Sequence, residues 1–186
     1  MKHYAIAALA AAALTTSGCG KKDETVAADP QIAAGASETA VPATTPASPG
    51  QAFADTAAAS DTFEVEASKL AATKASSAKV KSFAAQMIKA HTESTAKLKT
   101  AAAAASPAIT PVPALTSAQQ AKLDELSAKS GAEFDKAYAA AQVEAHQMTL
   151  DALKGYSASG DVAPLKAFAT ELVPIVTAHL NMAKGL

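Results

Sequence analysis

The chain has 186 residues, of which 49% are hydrophobic and 18% charged, with a formal net charge of −1; that length suits one compact domain plus extensions. Much of the hydrophobic share is alanine, aromatics reach only 4% and there is no Trp, so the core is thin and an all-α domain is the natural reading. Near-neutral charge, and basic residues that are all Lys with no Arg for bidentate phosphate contacts, argue against a nucleic-acid partner.

Residues 1–18 read as a signal peptide. Met1-Lys2-His3-Tyr4 is a short basic start, Ala5 to Leu14 is apolar, and Thr15-Thr16-Ser17-Gly18 leads with small residues into Cys19. The apolar run falls well short of the roughly 20 residues that span a bilayer. This segment resembles a bacterial lipoprotein signal, with Thr16 standing where Leu is usual. The resemblance implies export and a membrane anchor through a lipid on Cys19. Gly20-Lys21-Lys22 follows with no Asp after the cysteine, which by the same resemblance implies the periplasmic face of the outer membrane. Cys19 is the sole cysteine, so no internal disulfide forms.

Residues 19–50 shift to Ala, Thr, Ser and Pro, as in Ala43-Thr44-Thr45-Pro46-Ala47-Ser48-Pro49-Gly50. Such a stretch buries too little to offset its ordering entropy and reads as a flexible tether with a reach of roughly 30 Å.

Residues 51–186 read as a four-helix bundle. The first helix is expected over 51–75, with Phe53, Ala57, Ser60, Glu64, Ala67 and Ala71 on one stripe and Phe63 and Leu70 beside it. Ser76-Ser77 breaks it and caps a second helix over 78–105, whose stripe is Val80, Phe83, Ala84, Met87, His91, Ser94 and Leu98. Pro107, Pro111 and Pro113 end that helix. A third opens with the capping-box pattern Ser117-Ala118-Gln119-Gln120 and runs to about 156, with Gly131 as a dividing point and Phe134, Tyr138, Gln142, His146, Leu150 and Leu153 facing inward. The fourth starts at an Asp161 cap, tolerates Pro164 in its first turn and is expected to kink at Pro174. It presents Leu165, Phe168, Leu172, Ile175, Val176, His179 and Met182.

Thus Glu64, His91, His146 and His179 fall on the inner stripes of four different helices. A lone buried imidazole or carboxylate is costly, whereas a converging set can bind a metal or pair internally. Counted from the hairpin turns at about 1.5 Å per residue, three of the four are nearly level and His179 lies one to two turns off. Asp135, about three turns before His146, cannot share an ion with it and is expected to have a structural role. Met87 and Met182 are expected to fill core. No Gly-rich phosphate loop, nucleophile elbow, paired-cysteine site or HExxH helix is present.

Several motifs in order carry a family resemblance. Glu64-Val65-Glu66-Ala67-Ser68-Lys69-Leu70-Ala71, Lys74 to Ala84, and Met87-Ile88-Lys89-Ala90-His91 are followed by Gly131 to Tyr138, His146, and Leu172-Val173-Pro174 with His179. Together they resemble the bacterial domain-of-unknown-function family 4142, which is grouped with ferritin-like four-helix bundles. The resemblance implies an up-down ferritin-like bundle with polar core positions at Glu64, His91, Asp135, His146 and His179. Ala90 departs from the usual Asp before the histidine, removing a carboxylate that could brace the ring. Val173 departs where Leu-Pro is usual.

Di-iron bundles need a Glu-x-x-His pair on each of two helices. Here Ile88 and Val143 occupy the positions three before His91 and His146, and neither ligates. A His-rich set with one carboxylate suits a single zinc, copper or iron ion instead. The reading is an exported envelope protein with an inner His/Glu cluster for a transition metal or small ligand, directed to binding more than to turnover. A ferritin-like redox enzyme and a metal-free structural or stress-related envelope module are the alternatives. Catalytic residues are not assigned, and self-association into a homo-oligomer is left open.

Overall fold

The computed structural model describes residues 47–186. The expected signal peptide, the expected anchor at Cys19 and the expected tether up to residue 46 therefore lie outside the described residues. Five helices follow in order: α1 (Pro49–Lys74), α2 (Ala78–Ala103), α3 (Ser117–Ser127), α4 (Gly131–Ser159) and α5 (Ala163–Ala183). None of them is long and apolar enough to cross a membrane.

Helix α1 starts two residues before the expected boundary, at the end of the stretch read as tether. Ser48 caps it by accepting from Gln51 N at 3.2 Å, and Pro49 occupies the first turn, where its missing N–H costs nothing. Gly50 is helical here and buried, and a Cβ at that position would stand 2.6 Å from Val162 and 3.1 Å from Ile109. Ser77 caps α2 as expected.

Two other caps differ from the sequence reading. The capping box of α3 is Thr116 with Gln119, one residue earlier than expected, since Thr116 supplies both a hydroxyl and the correct spacing. Val162, not Asp161, precedes α5; Asp161 instead accepts from the Tyr156 hydroxyl at 2.9 Å.

Four helices build the bundle. Helix α1 pairs with α2 and α4 with α5 as hairpins, while α1 also packs on α4 and α2 on α5. Ser60 meets Thr149 and Ser68 meets Tyr138, so α1 and α4 run antiparallel. Lys97 reaches Glu171 near one end of α2, and Lys79 reaches the Gly185 carbonyl near the other, so α2 and α5 are antiparallel too. In chain order the helices run up, down, down and up. The long crossover this requires, spanning residues 104–130, is the mark of the ferritin-like bundle. Helix α3 lies within that crossover and packs on α1 and α4.

The crossover is tied to the start of α1. Asp55 accepts from Val112 N at 2.8 Å, and Gln51 Nε2 donates to the Thr110 carbonyl at 2.8 Å. At the opposite corner, Gly131 adopts φ 62, a left-handed value that disfavours any side chain. Ala75 bridges to Gly131 there. Asp135 holds the same corner, accepting from Ser76 N at 3.1 Å, Ser77 N at 2.9 Å and the Ser76 hydroxyl.

The apolar interior is divided in two. One cluster gathers around Phe63, Phe83, Met87, Leu126, Phe134 and Tyr138. The other gathers around Phe53, Leu98, Leu150, Leu165, Phe168 and Val176. On α2 and α4 the buried polar residues His91, Ser94, Gln142 and His146 lie between the two clusters in sequence, so the bundle holds a polar layer at mid-height.

The expected inner stripes of α2 and α4 match the buried faces residue for residue, each extended by one alanine. Helix α5 is rotated relative to expectation. Ala169, Leu180 and Ala183 are buried, while Ile175 and Met182 are 36% and 39% exposed. Met182 therefore does not fill core, whereas Met87 is fully buried. Helix α5 remains one helix through Pro174.

Candidate metal centre

Three imidazoles converge in the polar layer. Their ring centroids are 5.5 Å apart for His91 and His146, 5.8 Å for His91 and His179, and 5.6 Å for His146 and His179. One ring nitrogen from each lies within 4.8 Å of the others. His179 is thus level with its partners, contrary to the offset of one to two turns expected from the sequence. The turn between α4 and α5 is shorter than assumed, with α4 extending to Ser159 and α5 beginning at Ala163.

His91 is aimed by Asp61. Its Nδ1 donates to Asp61 Oδ1 at 2.8 Å, and both side chains are less than a tenth exposed. The Thr95 hydroxyl stands 3.1 Å from Asp61 Oδ2 and 2.9 Å from the His91 carbonyl. With Nδ1 committed, His91 Nε2 points into the layer with no hydrogen-bond partner. His146 Nδ1 donates to the Gln142 carbonyl one turn earlier at 2.8 Å, leaving its Nε2 likewise unpartnered. His179 Nδ1 is buried and unpartnered as well.

Asp61 escaped the sequence reading, although it lies three residues before Glu64 and hence on a neighbouring part of the same helix face. It supplies from α1 the carboxylate brace that the Ala90 departure removes from α2. Glu64 is buried, and its Oε1 lies 3.4 Å from His146 Nδ1. That nitrogen is the one turned to the helix backbone, and the set of mutually close nitrogens does not include Glu64. The glutamate therefore flanks the three imidazoles from behind His146. Both of its oxygens, and both side-chain polar atoms of Gln142, lack hydrogen-bond partners. Asp135 is remote from the layer in function as well as in sequence, since its oxygens are occupied at the α1–α2 corner.

Electrostatics separate the members. Desolvation lifts the Glu64 carboxyl from 4.5 to about 7, against the opposing charge of His91 and the Gln142 side chain, with Asp61 adding to the rise. Burial pushes His146 down to about 3 and His179 to about 4, with the charge of His91 adding to both. Burial opposes protonation of His91 too, but Asp61 and Glu64 outweigh it and raise its pKa. Two of the three rings are accordingly neutral donors at pH 7.

The donor set fits a single ion. Nitrogens bound at about 2.0–2.1 Å stand roughly 3.4–3.6 Å apart, so each ring need move inward by less than about 1 Å. Buried orphan nitrogens are rare in folded proteins, and three in one place ask for a common partner.

Comparison with known proteins agrees with the architecture. The family model described as "Domain of unknown function (DUF4142)" matches residues 34–186, beginning inside the segment read as tether. The fold is similar to a solved structure described as "CopM in the Cu(I)-bound form", with a TM-score of 0.60, 14% identity, and coverage of 73% of this chain and 93% of that one. Identity that low shows a shared fold. Curated proteins gave no match. With the family model spanning most of its length, the chain belongs to the DUF4142 family.

Proposed function

We propose that this protein is an exported envelope protein, lipid-anchored through Cys19 at the periplasmic face of the outer membrane, that holds one transition-metal ion on His91, His146 and His179. The observations that carry the reading are that one ring nitrogen of each histidine lies within 4.8 Å of the others and that each of the three has a buried ring nitrogen without a hydrogen-bond partner. A metal-free cluster would leave all three orphaned, at a cost of about 1–3 kcal/mol each.

Copper(I) ranks first among zinc, copper and iron. Imidazole suits all three metals, but a monovalent ion is easier to hold between two apolar clusters than a divalent one. Glu64 provides one compensating negative charge beside the rings. The Cu(I)-bound state of the similar CopM structure is in keeping with this choice. A two-iron redox site finds less support, because Glu64 is the one carboxylate beside the trio that is free of a hydrogen bond, and it faces the back of His146.

The test is anaerobic titration of the full chain carrying Cys19→Ser, which removes the one thiol, with cuprous ion against a chromophoric chelator. One ion per chain is expected, lost in the His91→Ala/His146→Ala/His179→Ala variant. Free ion at about 100 times Kd would stabilise the fold by about 2.7 kcal/mol. Equal uptake by the triple variant, or no stoichiometric uptake of copper, zinc or iron, overturns the reading.

A further inference from the structure

The three histidines are not held alike. The Nδ1 atoms of His91 and His146 are each committed to an acceptor at 2.8 Å, and both residues are buried. Neither ring can turn without breaking its brace. His179 makes no hydrogen bond to a protein group among the described residues, and it is half-buried where the other two are enclosed. It lies on α5, the one described helix with an internal proline. Pro174, five residues before His179, withholds the backbone donor that the Thr170 carbonyl would otherwise take.

A small cavity of about 30 Å³ reaches this side of the layer. His91, His179, Asp61 and Ser94 line its polar wall, while Ala90 and Ile175 lie toward the outside. Ile175 is 36% exposed and Ala90 partly exposed, so the passage opens between α2 and α5. Its volume admits about one water, and hence a bare ion but not one keeping its full hydration shell.

Resting on the metal-binding reading above, we infer that His91 and His146 are fixed ligands and His179 is a detachable one, which opens the site between α2 and α5 so that the ion is handed over by ligand exchange. In that exchange an incoming nitrogen or sulfur donor brings a lone pair to the ion as the His179 nitrogen withdraws its own. No electron is transferred and no covalent bond to carbon changes. The narrow passage means that the donor must strip the ion of water outside the bundle. The chemistry therefore favours transfer to and from a small donor ligand or a donor-bearing protein segment over uptake of hydrated ions.

Four substitutions in the full chain with Cys19→Ser test this, with cuprous ion as the probe and release to a chelator followed by stopped flow. His179→Ala is expected to keep one ion per chain with about tenfold weaker affinity, faster release, and recovery on adding free imidazole. His91→Ala and His146→Ala are expected to lose stoichiometric binding. Ala90→Leu, which narrows the passage without touching a ligand, is expected to slow both uptake and release at unchanged affinity. Loss of binding in His179→Ala equal to that in His91→Ala, without imidazole recovery, overturns the inference and leaves the metal site standing. Unchanged exchange rates in Ala90→Leu also overturn it. Failure of the unsubstituted site to take up the ion overturns the metal-binding reading itself, and the inference with it.

Discussion

Asp61 on α1 and His91 on α2 form a hydrogen-bonded pair 2.8 Å apart inside the bundle, and through it the first hairpin presents a single ring nitrogen, His91 Nε2, to the other two histidines. A carboxylate behind a ligating imidazole fixes its tautomer and raises its basicity. Asp61→Asn keeps an acceptor oxygen but loses the charge, so it is expected to weaken metal affinity about 10- to 100-fold while leaving one site per chain. Chelator competition measures this. Unchanged affinity would mean that Asp61 serves only the packing of α1 against α2.

Glu64 predicts an opposite pair of effects. Its folded pKa of about 7 lies above the ordinary 4.5, so its contribution to stability is full below pH 4.5 and is lost as pH rises through 7. At pH 8 the buried carboxylate is ionised at a penalty, which Glu64→Gln removes. The metal-free variant is expected to gain roughly 2–3 kcal/mol on the parent between pH 5 and pH 8, while its copper affinity falls because the compensating charge is gone. Thermal melts at the two pH values, with no difference between parent and variant, would show that Glu64 is not desolvated as the structure has it.

The depressed histidines act in the acid range. With folded pKa values of about 3 for His146 and about 4 for His179, the stability of their neutral forms is fully present above pH 6.5. It is lost as pH falls from there toward 4 and then 3, because the unfolded chain takes up protons that the bundle refuses. Metal-free His146→Leu is expected to lose part of this acid slope, seen as a smaller drop in denaturation midpoint between pH 6.5 and pH 4.5. An unaltered slope would place the proton uptake elsewhere.

Asp135 is tied to the α1–α2 corner by hydrogen bonds from Ser76 and Ser77. Burial raises its pKa, but hydrogen bonds from Ser76 and Ser77 outweigh this and hold the carboxyl below its usual value. Its stabilisation is therefore present above about pH 4 and disappears as pH falls through the lowered value. Asp135→Ala is expected to destabilise the protein by about 1–2 kcal/mol at pH 7, as loss of a turn-capping carboxylate does, with a smaller difference at pH 3. Copper affinity should stay within a factor of two. A large loss of affinity would show that the α1–α2 corner governs the polar layer.

The inner faces of α2 and α4 are the most legible in the sequence. Helices α2 and α4 present a single buried face, and the three- and four-residue spacing of Val80, Phe83, Met87 and His91, or of Phe134, Tyr138, Gln142 and His146, marks that face unambiguously. Helix α1 packs on α2, α3 and α4, and its buried arc is wider, including Ala54, Ala58, Asp61 and Ser68. An acidic residue on such an arc looks solvent-facing from periodicity alone, and this is why Asp61 was not legible.

The sequence by itself determined the helix content, the family and the three histidines on inner stripes, because each depends on local spacing along one helix. Tertiary structure alone decided that His179 is level with its partners, that Asp61 braces His91 and that Glu64 stands behind His146. Those relations depend on how far one helix slides and rotates against the next, which is set by the crossover through α3, the short α4–α5 turn and the alanine-rich contacts between hairpins. A shift of one residue along a helix moves a side chain by 1.5 Å and turns it by about 100°, enough to separate a convergent site from scattered residues.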